Sequence, residues 1–217
     1  MFSLDAFHHE YDTDTRDMVI DGKPFRFIVP GSIERFIDPE DPLQDFPLWA
    51  KIWYAGAVLA GHLNNMPVET GKRLLEIGAG IGVAGVVAAV AGHDVTLTDY
   101  NTDALNFARA NAHINNCSHV QVDRLDWKKP DLEGRFDTIV GSEVIYRTED
   151  VLLLLHLFQR YLKPDGRVIL AEEMRKTIDS FYRQMDPYYS ISVRKNRMRS
   201  ETEESLVLLI ELTPKSV

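Results

Sequence analysis

The chain has 217 residues, 45% of them hydrophobic, which suffices to bury one full-sized core without disulfide or metal staples. A formal net charge of -9 disfavours a nucleic-acid partner, and the single cysteine, Cys117, excludes an internal disulfide and points to a reducing, cytoplasmic setting. The N-terminus Met1-Phe-Ser-Leu-Asp-Ala-Phe-His8 lacks a basic, apolar leader, and the longest apolar run, 81–91, is too short and too glycine-bearing to span a bilayer, so no membrane partner is expected.

Residues 1–48 read as an acidic N-terminal extension, and 49–217 as the main domain. Asp21-Gly22 between Met18–Ile20 and Phe25–Val29 signals a two-residue β-hairpin, read as a lid, followed by an irregular loop, Pro30–Pro47. From Leu48 to Leu63 apolar residues recur at helical spacing, predicting an amphipathic helix. Strands are then predicted at Arg73–Ile77, Asp94–Thr98, Val120–Arg124, Phe136–Gly141 and Arg167–Glu172. Helices are predicted at Val83–Ala91, Asp103–Asn115, Thr148–Leu162 and Met174–Met185. This alternation is the mark of βαβ crossovers, hence of an α/β, doubly wound, mostly parallel sheet. Lys163-Pro-Asp-Gly166 is read as the turn that ends one helix and opens the next strand. At the end, Tyr189–Met198 and Ser205–Leu212, joined by a charged stretch, predict an antiparallel hairpin at the edge of a seven-stranded sheet.

Chemistry concentrates in Leu74-Leu-Glu-Ile-Gly-Ala-Gly-Ile-Gly82. Gly78, Gly80 and Gly82 stand between a strand and a helix, where bare backbone can approach a ligand. A dinucleotide turn of the form Gly-x-Gly-x-x-Gly requires glycine at position 83, which is Val83 here. Glu76 in the strand end further opposes a pyrophosphate and tolerates a cationic ligand. Asp99 ends the second strand, the position at which doubly wound folds place the acceptor for ribose hydroxyls. Tyr100 and Asn101 follow it; Asn101 either adds an amide contact or caps the next helix. Asp126 and Trp127 follow the third strand and suit an adenine amino group and ring face, with a rim core role as the alternative for Trp127. No His/Cys/carboxylate cluster has metal-ligand spacing.

Over roughly residues 70 to 215 these features resemble the class I, seven-β-strand, S-adenosylmethionine-dependent methyltransferases of Rossmann-like fold. The resemblance implies that cofactor, with S-adenosylhomocysteine as product. Phe46–Ala60 looks like the Trp-bearing helix preceding the glycine turn in the family 16 group of protein-lysine methyltransferases, which implies that Trp53 packs near the cofactor; a helix face buried on the sheet is the other reading of Trp49 and Trp53. Ser142-Glu143-Val-Ile-Tyr146 matches the group's Asp-x-x-Tyr segment with glutamate for aspartate. It implies Ser142 at the cofactor, Glu143 orienting the acceptor amine and Tyr146 lining its pocket, unless Tyr146 only packs on the following helix. A protein lysine is thus the expected acceptor. A small-molecule acceptor, or a cofactor-binding protein without turnover, are the alternatives, the second motivated by Glu143. The basic run 194–199 is read as a solvated strand face or a contact for an acidic protein.

Overall fold

The computed structural model describes residues 2–41, 46–199 and 204–215. A seven-stranded sheet runs in the order β5-β4-β3-β6-β7-β9-β8. Its parallel members are β3 (Arg73–Glu76), β4 (Asp94–Asp99), β5 (Gln121–Arg124), β6 (Phe136–Ser142) and β7 (Leu162–Glu173). The last strand, β9 (Glu204–Pro214), pairs antiparallel with both β7 and β8 (Tyr189–Arg199). The terminal hairpin therefore forms as predicted, but the final strand is inserted and β8 is the edge. Residues 200–203 of the charged connection lie outside the described residues.

Alternate residues of each strand feed two separate cores, because strand side chains alternate between faces. On one face Leu74, Val95, Leu97 and Val140 pack beneath α2 (Tyr54–Asn65), α3 (Val83–Val90) and α4 (Thr102–Ile114). On the other, Leu75, Ile77, Ile139 and Val168 meet α5 (Asp150–Tyr161) and α6 (Thr177–Met185). Helix α3 is buried from Val83 to Ala89, which explains its apolar composition all round. The chain winds outward from β3 through β4 and β5, then returns to place β6 on the other side of β3. Ligands bind at such a switch point, beyond the carboxyl ends of the strands.

The N-terminal segment departs from the sequence reading. A short helix, α1 (Leu4–Glu10), forms where none was predicted; Ser3 caps it by accepting from Ala6 N at 3.3 Å, and Phe7 packs edge-on to Phe107 with ring centroids 4.9 Å apart. Seven residues are too few for a periodic signal, and tertiary packing supplies what propensity lacks. The hairpin of β1 (Thr13–Ile20) and β2 (Lys23–Pro30) turns at Asp21-Gly22, both at positive φ, as the dipeptide predicts. It is not a lid. Phe25, Phe27, Ile28 and Val29 bury against the α4 face, and buried Asn111 accepts from Ile28 N at 2.6 Å while donating to Ile28 O at 3.0 Å and Ile81 O at 2.9 Å. The hairpin buttresses the glycine turn from behind.

Three boundaries also move. The helix predicted from Leu48 starts at Tyr54; Leu48–Ala50 is a single tight 3-10 turn, closed by the Trp53 indole donating to Leu48 O at 2.8 Å. Strand β7 begins at Leu162, so Lys163-Pro-Asp-Gly166 is a bulged lead-in across which the pairing jumps from Phe136–Leu162 to Thr138–Arg167. Helix α6 starts at Thr177, leaving 174–176 as a loop that returns to the sheet edge.

Candidate active site

A cavity of about 610 Å³ opens at the carboxyl ends of β3, β4 and β6 and is walled by the 46–53 segment, a size that suits a small-molecule site. Gly78 (φ +59°) and Gly80 (φ +54°) line it in backbone conformations that other residues rarely adopt. A Cβ on Gly80 would also stand 3.0 Å from the Trp49 carbonyl. Gly82 (φ +84°) lies outside the cavity lining; it opens α3 and lets Ala108 and Leu97 approach closely. Close packing at the start of α3 requires a glycine here.

Two buried acids brace the turn. Glu76, 2% exposed, accepts from Gly85 N at 2.9 Å, and burial pushes its carboxyl up to about 8. Sequence reading missed Gly85: in α3 it looks like an ordinary helical residue, yet a Cβ there would collide with Leu97 and with the Glu76 carboxylate. Asp99 accepts from Gly80 N and from Asn101 N, each at 2.9 Å, tying the turn to the end of β4; burial raises its carboxyl above the ordinary range. Asn101 itself caps α4 by accepting from Ala104 N at 3.0 Å and does not line the cavity, so of its two readings the structure shows the cap. Trp53, Tyr100, Asp126, Trp127 and Ser142 all line the cavity with Glu76 and Asp99. Trp127 lies alongside Gly78, 3.7 Å from where its Cβ would stand, and the Lys51 ammonium sits 4.7 Å over the Trp53 ring.

The same cavity is lined by Glu143 and Tyr146 of the loop after β6. Glu143 holds a positive φ of 52° despite its side chain, a strained conformation that the surroundings enforce. Its carboxylate accepts from Glu173 N at 2.7 Å and is ion-paired with Arg175, whose guanidinium lies 5.1 Å over the Tyr146 ring. Burial raises the Glu143 carboxyl, and Arg175 opposes that rise. Fully buried Glu172 grips the next residues, accepting from Val144 N at 2.8 Å; burial, reinforced by Glu143, pushes its carboxyl up to about 8. The Tyr146 hydroxyl is raised well above its usual value by burial, then by the charges of Glu143 and Glu172. Glu172 and Arg175 escaped the sequence reading. Their signal was position alone: Glu172 lies in the last residues of β7 and Arg175 just beyond it, at the sheet's carboxyl edge.

The strand order with its inserted antiparallel strand, the glycine turn after β3 and the acid closing β4 define the Rossmann-like fold of the class I, S-adenosylmethionine-dependent methyltransferases. The chain is similar to the mouse EEF1A lysine methyltransferase 3, with 31% identity over 64% of this chain and 63% of the relative. It is also similar to the mouse protein N-lysine methyltransferase METTL21A, with 32% identity over 71% of this chain and 80% of the relative. It thus spans less than two thirds of the first relative and four fifths of the second. Among solved structures, a SAM-dependent methyltransferase from Agrobacterium tumefaciens shares the fold, with a TM-score of 0.64 at 15% identity over 93% of this chain and 70% of the other. A family profile described as lysine methyltransferase matches residues 44–186, and the chain belongs to that family.

The residues present fit the cofactor of this class. Positive-φ glycines leave the floor open to close approach, and the acids near it, Glu76 and Asp99, suit a cationic ligand with ribose hydroxyls rather than a pyrophosphate. Among the described residues, no helix is long and apolar enough to cross a membrane.

Proposed function

We propose that the chain methylates a lysine side chain of a protein, using S-adenosylmethionine. One observation carries this: a single continuous cavity joins the glycine turn, with Glu76 and Asp99, to Glu143 and Tyr146. Family membership and the names of the relatives above support lysine as the acceptor. We assign the cofactor to Glu76, Gly78, Gly80, Asp99, Tyr100, Trp53, Asp126, Trp127 and Ser142. When bound, it supplies a methyl group on a sulfonium.

A free lysine amine, with a pKa near ~10.4, is mostly protonated at pH 7 and must release a proton to water before it can attack. The cavity's role is then to position the amine and exclude bulk water from it. Each Glu143 oxygen has two lone pairs, so the carboxylate held by Glu173 N–H and Arg175 can still accept from the lysine head group. Tyr146 lines the aliphatic stem. The single cysteine, Cys117, is free and buried, in keeping with a reducing compartment such as the cytoplasm.

The test combines thermal stabilisation by S-adenosylhomocysteine with labelled methyl transfer into a lysate, followed by acid hydrolysis of the labelled protein. The expected result is stabilisation and label recovered as methyl-lysine, with transfer lost in Glu143→Ala and weakened in Tyr146→Phe. Label confined to small molecules overturns the protein acceptor. Full turnover in both variants overturns their assignment.

A further inference from the structure

The charges around the cavity are sorted by depth. Of its acids, Glu76, Asp99 and Glu143 are buried and Asp126 and Asp150 half-buried, whereas its bases Lys51, Lys128 and Arg147 are exposed. These three bases come from separate loops, ahead of α2, after β5 and after β6, and meet around one mouth. The Arg147 side chain is 68% exposed, and its nearest carboxylate, Asp150, is 4.0 Å away, at the outer limit of an ion pair. Lys128 also lies within electrostatic reach of Asp150, so one half-buried acid faces two bases. The chain as a whole carries a net charge of -9, so this rim runs against the prevailing sign.

We propose that this mouth selects a lysine flanked by acidic residues, Lys128 and Arg147 pairing with carboxylates next to the target; the proposal rests on the lysine-methyltransferase reading above. The geometry follows from chain dimensions. A residue one to three positions from the lysine lies roughly 3–10 Å along an extended segment. That distance matches the range over which a charge at the rim acts, about 8 Å at physiological salt. The lysine head group goes to Glu143 at depth while its acidic neighbours remain at the rim, so both signs of the segment find the opposite sign in the cavity. The chain's net charge of -9 disfavours non-specific contact with such a segment, so charge complementarity at the mouth acts on its orientation and approach.

The experiment uses the full chain and the acceptor proteins it labels in a lysate, with the methylated lysine located by mass spectrometry. The prediction is at least one Asp or Glu within three residues of that lysine. Lys128→Glu with Arg147→Glu should raise KM for the purified acceptor about three- to tenfold, the range of a few rim charges, at unchanged kcat and unchanged stabilisation by S-adenosylhomocysteine. Neutralising the acceptor's own flanking acids should raise KM for the wild-type chain by a similar factor and remove the difference between the two enzymes. Target lysines with neutral or basic flanks, or an unaltered KM in the double variant, overturn the proposal while leaving lysine methylation intact. Cofactor binding without any methyl-lysine overturns the underlying reading instead.

Discussion

Truncating Arg175 to alanine tests whether the acceptor end is held as described. Glu143 is 3% exposed, and without Arg175 its carboxylate keeps only the hydrogen bond from Glu173 N. Removing one partner of a fully buried pair costs about 3–5 kcal/mol, but the Arg175 side chain is 32% exposed and water screens its charge, so about 2 kcal/mol is expected. For a chain of this size that lowers Tm by roughly 4–8 °C. The deficit depends on pH with a definite sign. Burial already raises the Glu143 carboxyl, and losing the guanidinium raises it further; protonation then removes the uncompensated charge. Urea unfolding should therefore show the largest deficit near pH 8 and a smaller one near pH 5, and Glu143→Gln in the Arg175→Ala background should recover most of it. A deficit below about 0.5 kcal/mol at both pH values, or one that Glu143→Gln leaves untouched, refutes the clamp.

Other perturbations read other parts of the site. Glu76 sits near pKa 8 in the free protein, and a cationic ligand favours its carboxylate; binding then releases a proton, so affinity for S-adenosylmethionine should rise by up to about tenfold per pH unit below 8 and level off above. Glu76→Gln should flatten that profile in calorimetric titration. Glu76 and Glu172 both keep protons to about pH 8 in the fold but release them near 4.5 when unfolded, so ligand-free stability should fall as pH rises through that window and then level off; a urea midpoint no lower at pH 8.5 than at 5.5 contradicts this. Gly85→Ala should abolish stabilisation by S-adenosylhomocysteine, because the new methyl displaces the Glu76 carboxylate or Leu97. Asn111→Ala should destabilise the chain by about 2–4 kcal/mol in urea unfolding, since it orphans buried Ile28 N–H and C=O groups together.

The site's floor was legible because it follows from local rules. Glycines at positive φ after a strand and an acid at the end of the next strand can be read from spacing, and Glu76, Gly78, Gly80 and Asp99 stand together around the cavity. What escaped depends on contacts distant in sequence. Gly85 matters only because Glu76 reaches it across nine residues, and Arg175 only because a loop returns it to Glu143, 32 residues away. Asn101 fits two roles from sequence, and the structure shows it as a cap, while Gly82 packs closely against Ala108 and Leu97. The hairpin was visible in Asp21-Gly22, but its docking against α4, through Asn111, leaves no local trace. Trp53 and Trp49 at helical spacing gave the wrong start for α2, because the same spacing also satisfies a tight turn closed by an indole hydrogen bond.

The central claim is that one cavity joins a cofactor turn to a lysine-accepting end. The most direct measurement is transfer of labelled methyl from S-adenosylmethionine by the wild-type chain and by Asp99→Ala, with the product hydrolysed to amino acids. Methyl-lysine from the wild type, and its loss in Asp99→Ala together with the loss of stabilisation by S-adenosylhomocysteine, is the predicted result. Methyl-lysine formed at an undiminished rate by Asp99→Ala, or no binding of S-adenosylhomocysteine by the wild type, contradicts it.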